Sequence, residues 1–219
     1  MRQLIFLALA GTVLFSSCRE KKEEPSLKKP VIYFYPESDT EVSVELKTTG
    51  KLTFSYPDYA TGWKGTAHPD GSIDVNGKHY PYLFWESEQP FNKFDKEIGC
   101  VLLHKENAVK SLEKHLTKLG FNEKEKTDFI TYWGPQIMKH ELVMAQFLIN
   151  EECEEFATLD IQPTPAHLNR VYMIWTNFDL NSSKIPLIKT QILRPLTRDG
   201  FDILEWGGME ISEKSLLLN

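Results

Sequence analysis

The hydrophobic period of this chain changes once, and that change constrains its fold class more than any other feature. Val42, Val44 and Leu46 alternate with Glu41, Ser43, Glu45 and Lys47. Leu52, Phe54 and Tyr56 alternate in the same way with Lys51, Thr53 and Ser55. A period of two predicts half-buried antiparallel strands. Thr49-Gly50 is expected to join this first pair as a hairpin. Pro69-Asp70-Gly71 predicts a turn, and Asn76-Gly77 is a strong two-residue hairpin signal. Lys78 to Glu86 then continues as an aromatic-rich strand with Pro81 inside it, which suggests an edge or a bulge.

The period then lengthens. Val109, Leu112, Leu116 and Leu119 fall on one face of a helix, with Gly120 as its stop. Asn122 with Glu125 three residues on resembles a capping box. It opens a second helix through Phe129, Ile130 and Trp133, which Pro135 should end or kink near Gly134. So short a link predicts an antiparallel helical hairpin. Leu142 to Ile149 is apolar throughout and predicts a buried central strand; Leu159 to Ile161, Val171 to Thr176 and Phe201 to Trp206 predict further strands. The fold class is therefore α+β: an N-terminal antiparallel β-meander or sandwich, then a helical hairpin and further β-strands, in one compact domain over residues 30–211, with 212–219 as a tail.

The first residues carry a different kind of information. Arg2 is a positive start, Leu4 to Leu14 an apolar core, and Phe15-Ser16-Ser17 a cleavage region, followed directly by Cys18. This is the grammar of a secretory signal, and its apolar core is shorter than the roughly 18 residues of a membrane span. A cysteine directly after the small residues makes it a bacterial lipoprotein signal. Residues 1–17 are the expected signal peptide and Cys18 the expected lipidation site, its thiol taking a lipid as a thioether and its freed amine an acyl chain such as palmitate. Residues 18–29 are the expected tether, since their charged composition buries too little apolar surface to order itself. Lys22-Glu23-Glu24 resembles a surface-export tag of some Gram-negative lipoproteins, or is a generic spacer. The expected location is extracytoplasmic, anchored to the cell membrane, or to the outer membrane in a Gram-negative cell.

Charge and cysteine content narrow the partners. The 219 residues carry a net charge of -6. An acidic chain without a basic block is not built for nucleic acid, whose affinity comes from Lys and Arg on phosphates. Membrane attachment is expected through acyl chains, which hold stably when there is more than one. Besides Cys18 there are Cys100 and Cys153. Cys100, in an apolar stretch, reads as a buried free thiol. Cys153, among Glu151, Glu152, Glu154 and Glu155, reads as dulled by neighbouring carboxylates. An oxidising compartment leaves a disulfide between the two open.

Four segments together carry a resemblance. Lys29-Pro30-Val31-Ile32-Tyr33-Phe34-Tyr35-Pro36, Tyr82-Leu83-Phe84-Trp85-Glu86, Asp128-Phe129-Ile130-Thr131-Tyr132-Trp133 and Glu205-Trp206-Gly207-Gly208 follow in that order. They resemble a widespread bacterial and fungal family that typically begins with a Lys-Pro-Val-Ile-Tyr-Leu-Tyr-Pro segment. The resemblance implies one continuous domain and no assigned activity. Gly134 departs from it, standing where that family is expected to have Leu.

Candidate chemistry rests on three carboxylates. Glu86 follows the aromatic strand Tyr80 to Trp85, and Glu205 follows Phe201 to Leu204 beside a Gly-Gly pair. Two carboxylates across an aromatic cleft suit glycoside hydrolysis; each is otherwise a strand-end acid or a partner of Arg170 or Arg194. Asp128 is a third carboxylate for such a cleft, or an acid that complements the dipole of its helix. The aromatics Tyr33, Tyr35, Tyr56, Tyr59, Trp63, Tyr80, Tyr82 and Trp85 form either a ligand platform or a core, as strand register decides. The six histidines include no two-His helical pair and no Cys/His array. His104 with Glu106, or His140 with Glu141, remain distant ligand candidates, but no metal or cofactor is expected. Ser111-Leu112-Glu113-Lys114 has a Ser-x-x-Lys spacing but lies mid-helix, where the nucleophile of that motif does not sit. The leading expectation is a domain that binds a glycan or protein ligand without catalysis. The alternatives are a carboxylate-dependent glycan hydrolase and a structural envelope component.

Overall fold

The computed structural model describes residues 26–91, 93–95, 97–178 and 189–212. Cys18, the signal segment and most of the expected tether lie outside them, as do residues 213–219. Among the described residues, twelve strands and a helical hairpin make three layers. A seven-stranded sheet runs β3-β7-β1-β12-β11-β9-β8, and a five-stranded sheet runs β10-β2-β4-β5-β6. The strands are β1 (Ser26–Tyr35), β2 (Thr40–Thr48), β3 (Lys51–Tyr56), β4 (Trp63–Ala67), β5 (Ile73–Val75), β6 (Lys78–Tyr80), β7 (Leu83–Glu88), β8 (Val101–His104), β9 (Leu142–Ile149), β10 (Ala157–Gln162), β11 (His167–Asn177) and β12 (Asp202–Glu210). The helices are α1 (Ala108–Leu119) and α2 (Glu123–Ile137).

Two cores follow from the strand period. Val31 and Tyr33 of β1, with Leu204 and Trp206 of β12, pack under Leu112, Leu116, Phe129 and Trp133 of the helices. Ile32, Phe34 and Ile203, on the opposite face, pack against Val42, Val44, Trp63 and Ile161 of the smaller sheet. The large sheet is thus buried on both faces at its centre. Its pairs are antiparallel except β11 with β12, which run parallel.

The helical hairpin forms where the 3.6 period predicts it. Asn122 Oδ1 accepts from the Glu125 backbone N–H at 2.9 Å, and Glu125 Oε2 accepts from the Asn122 N–H at 2.7 Å, closing the capping box. Gly120 ends α1 at φ 91°, a left-handed conformation that glycine adopts without strain. On α1 the buried face is Ala108, Leu112, Leu116 and Leu119, while Val109 is exposed. Helix α2 does not stop at Gly134: it runs through Pro135 to Ile137. The proline falls in the last turn, so only one hydrogen bond is forfeited before the helix ends anyway.

The N-terminal meander is the expectation that changes most. Thr49-Gly50 does not turn β2 back onto β3, because the two strands belong to different sheets. A Cβ on Gly50 would stand 1.7 Å from the Glu88 carbonyl oxygen, so glycine is there to let the chain cross beside β7. Lys78 to Glu86 is likewise two strands: Pro81 separates β6 in the small sheet from β7 in the large one. Late strands complete both sheets, β12 beside β1 and β10 beside β2. Strand β1 also begins at Ser26 with Leu27 fully buried, inside the stretch expected to be tether. Cys100 and Cys153 are both buried and free. Burial pushes the Cys100 thiol up to about 11. Burial, more than the neighbouring carboxylates, also raises Cys153, which lies in a 3-10 turn over Asn150–Glu155.

Candidate functional site

The core beneath the helices takes no residue from β3. The end of the large sheet formed by β3 and β7 therefore leaves aromatic side chains open to solvent. Phe54 is 54% exposed and Tyr56 58%. Phe54 stands opposite Glu86 and Tyr56 opposite Phe84. The Phe54 and Phe84 rings meet edge-on at 5.7 Å, and Tyr56 meets Tyr80 edge-on at 5.3 Å. The result is a strip of rings along a sheet edge.

Lys29 is fixed at the inner end of that strip. The β1 register slips between Leu27 and Val31 against β7, and Lys29 sits in the slip with φ 59°. A bulge of this kind re-aims a side chain, and left-handed backbone at a residue other than glycine is tolerated only where the surroundings hold it. Here the following Pro30 packs on Gly207, where a Cβ would stand 3.1 Å from the proline ring. The Lys29 ammonium lies 5.0 Å from the centroid of Tyr82, 5.2 Å from that of Phe84 and 5.8 Å from that of Tyr132. It donates to the Tyr82 hydroxyl at 3.1 Å, while the Lys29 backbone N–H donates to Glu86 Oε1 at 3.3 Å. A cation among three ring faces is favourable, and more so as it is desolvated. Lys124 extends the same chemistry, 4.2 Å above the Tyr33 ring and 5.6 Å from Tyr82.

Of the three candidate carboxylates, Glu86 belongs to this surface. Asp128 faces the helix side as well, where it accepts from the Tyr33 hydroxyl at 2.7 Å with Lys124 at 3.8 Å. Burial first, and then this carboxylate, push the Tyr33 phenol far above its usual range, so it stays protonated and donates. Glu205 is elsewhere. It is fully buried on the opposite face of the sheet, between the two sheets. There it accepts from Trp85 Nε1 at 2.9 Å, Arg170 Nε at 2.6 Å and the Tyr172 hydroxyl at 2.7 Å. Glu86 and Glu205 are thus not the two walls of one cleft, and the Arg170 partnership holds. The aromatic set divides: Tyr33, Trp63, Tyr80 and Trp85 are buried, Tyr35, Tyr59 and Tyr82 half-buried, and Tyr56 exposed. Lys29, Phe54, Phe84 and Tyr132 are members of the surface that sequence reasoning did not single out as a site. The signal of Phe54, an apolar alternation in β3, points equally to a core, and Lys29, Phe84 and Tyr132 reach the surface from β1, β7 and α2.

The expected distant ligand pairs do not converge among the described residues. Glu141 is held by Lys105 at 2.7 Å, and His140 lies against the Trp175 ring at 5.7 Å. A different group does converge: His68, Asp74 and His79, on the five-stranded sheet. The hydrogen bond to Asp39 is the largest influence raising the His68 imidazole above its ordinary value. Asp74 is held below the usual carboxylate range, chiefly by its hydrogen bond to His79.

Among proteins of known sequence, a Butyrivibrio fibrisolvens protein described as "Uncharacterized protein in bglA 3'region" is 46% identical over 85 residues, which cover 37% of this chain and 88% of that protein. No family model matches the chain, and no solved structure does.

Proposed function

The chain belongs to one family with that Butyrivibrio fibrisolvens protein, and we propose that it is a lipid-anchored extracytoplasmic lipoprotein whose domain binds glycan without catalysis. The observation that carries the binding reading is the strip of rings made by exposed Phe54 and Tyr56 and half-buried Phe84, ending at the caged Lys29 and at Glu86. Ring faces suit the apolar faces of sugars, and a flanking ammonium and carboxylate give hydroxyl groups both a donor and an acceptor. Contiguous exposed apolar surface rimmed by polar groups is the mark of an interaction site. A non-catalytic reading is supported by Glu205, the expected partner of Glu86, lying buried on the far face, and by Asp128 being engaged by the Tyr33 hydroxyl and Lys124.

Two experiments test this reading. The purified full-length protein in detergent is titrated with oligosaccharides alongside Phe54→Ala and Tyr56→Ala. Each substitution is expected to weaken binding about fivefold, the equivalent of about 1 kcal/mol for one ring contact. Equal affinity in wild type and both variants would overturn the placement of the site. Anchoring is tested by feeding cells labelled palmitate: Cys18→Ala is expected to abolish incorporation, and undiminished label would refute lipidation at that thiol. The signal grammar of residues 1–18 supports the anchor.

A further inference from the structure

We propose that His68, Asp74 and His79 ligate one divalent transition-metal ion of the zinc type, with Asp39 orienting His68. The site is distinct from the ring strip, and it is assembled by the turns of the small sheet. Strand β4 ends in a tight turn in which the Gly71 N–H donates to the His68 carbonyl at 3.1 Å and the His68 N–H to the Ser72 carbonyl at 2.9 Å. Asp70 braces that turn, its Oδ1 accepting from the Ser72 N–H at 3.0 Å. Gly71 has φ 94°, and a Cβ there would stand 2.7 Å from the Tyr35 ring, so the turn is seated against β1. Asn76 and Gly77, at φ 52° and 72°, make the two-residue hairpin between β5 and β6. That hairpin sets Asp74 directly opposite His79. Asp39 immediately precedes Thr40, which pairs with Ala67, the residue before His68.

The donor atoms converge. His79 Nδ1 lies 2.7 Å from Asp74 Oδ1, and His68 Nε2 lies 3.3 Å from Asp74 Oδ2. All three ligand atoms lie within 4.8 Å of one another. Donors at zinc bond lengths in a tetrahedral shell stand about 3.4 Å apart. His79 is exposed, so a small side-chain rotation closes the shell without moving backbone.

The outer arrangement is what separates this group from a surface ion pair. His68 Nδ1 lies 2.9 Å from Asp39 Oδ1. An ionised carboxylate only accepts, so Asp39 keeps the proton on Nδ1, and Nε2, which faces Asp74 at 3.3 Å, is the nitrogen that gives up its proton to take a metal ion. A carboxylate on the far nitrogen of a ligating imidazole is the usual device for fixing tautomer and ring orientation in metal sites. Two imidazoles with one carboxylate favour zinc and its neighbours over calcium or magnesium, which take oxygen shells. Asp39 and Asp74 supply two negative charges against a divalent ion. Three protein ligands leave a coordination position open, and the open position faces solvent because Asp74 and His79 are exposed or half-exposed.

The test is equilibrium metal binding to the purified full-length protein after stripping with a chelator. Zinc is titrated in competition with a chromogenic chelator, and cobalt serves as a spectroscopic probe of coordination. Wild type is expected to take one equivalent of zinc and to give the intense visible bands of low-symmetry cobalt. Asp39→Asn is expected to weaken zinc binding about 10- to 100-fold while keeping the cobalt bands, as for an outer-shell partner. His79→Ala should lose the bands and bind more weakly still, and His104→Ala should match wild type. Asp39, His79 and His104 are exposed and Asp74 half-exposed, so the variants are expected to keep the fold, checked by far-ultraviolet circular dichroism. If His79→Ala or Asp74→Asn binds zinc as tightly as wild type, or if wild type gives no cobalt bands, the site does not exist.

Discussion

Replacing Arg170 by Met is expected to lower the free energy of unfolding by about 3–5 kcal/mol, because it strands a charged carboxylate between two sheets. The Arg170 side chain is 4% exposed and that of Glu205 fully buried. The guanidinium donates from Nε to Glu205 at 2.6 Å, from one terminal nitrogen to the Ala157 carbonyl at 2.6 Å and from the other to the Tyr172 hydroxyl at 2.8 Å. It therefore ties β11 and β12 of the large sheet to β10 of the small one. Whether the intact pair stabilises the fold more than apolar residues would is a separate question, since desolvating both ions offsets much of their attraction. The expected asymmetry tests this. Arg170→Met and Glu205→Leu should each be strongly destabilising, and the double variant should be less so than the sum. It should not return to wild type, because Trp85 Nε1 and the Tyr172 hydroxyl lose their acceptor. Urea unfolding followed by tryptophan fluorescence measures all four species. Single variants within about 1 kcal/mol of wild type would mean that water reaches the pair.

Local interactions were legible in the sequence, and partner choice was not. The α2 capping box and the Asn76-Gly77 hairpin are closed within a few residues, so their residue types announce them. The same hairpin register already implied that Asp74 faces His79, which is half of the candidate metal group. His68 and Asp39 arrive from outside this hairpin, just after β4 and just before β2, and could not be placed. Thr49-Gly50 misled for the same reason: its glycine answers to the Glu88 carbonyl, a contact far along the chain. The Lys29 bulge depends on Gly207, again nonlocal. The alternation in β3 gave the right element and the wrong burial, because sheet order makes β3 an edge strand beyond the reach of the helices. The four segments that begin at Lys29, Tyr82, Asp128 and Glu205 meet one another in space. Pro30 rests on Gly207, Tyr33 bonds Asp128, Trp85 bonds Glu205, and Trp133 lies against Gly208. They are joints within the large sheet and between it and α2, and only their outer edge, Lys29, Tyr82, Phe84, Glu86 and Tyr132, borders the ring strip.

The last of those joints gives the second large effect. Trp133→Ala is expected to cost about 3–5 kcal/mol, as for a large ring removed from a packed core. The indole is 1% exposed. It is 6.4 Å from the ring centroid of Trp175, 4.8 Å from that of Tyr132 and 6.5 Å from that of Phe129. Its fit depends on a glycine: a Cβ at Gly208 would stand 2.7 Å from the indole Cζ2 and 2.6 Å from the Met173 carbonyl oxygen. Gly208→Ala should therefore destabilise by about 1–3 kcal/mol through overpacking. The two costs should not add. Once the indole is gone, the new methyl keeps its clash with the Met173 backbone and loses its clash with the ring, so the double variant is milder than the sum of the singles. Trp133→Phe is expected to be gentler than Trp133→Ala, since most of the buried surface is kept. The indole N–H has no hydrogen-bond partner among the described residues, so none is lost. Urea titrations of the four species of this cycle decide the matter: strict additivity would show that Gly208 and Trp133 do not press on one another, and that the glycine serves the sheet backbone alone.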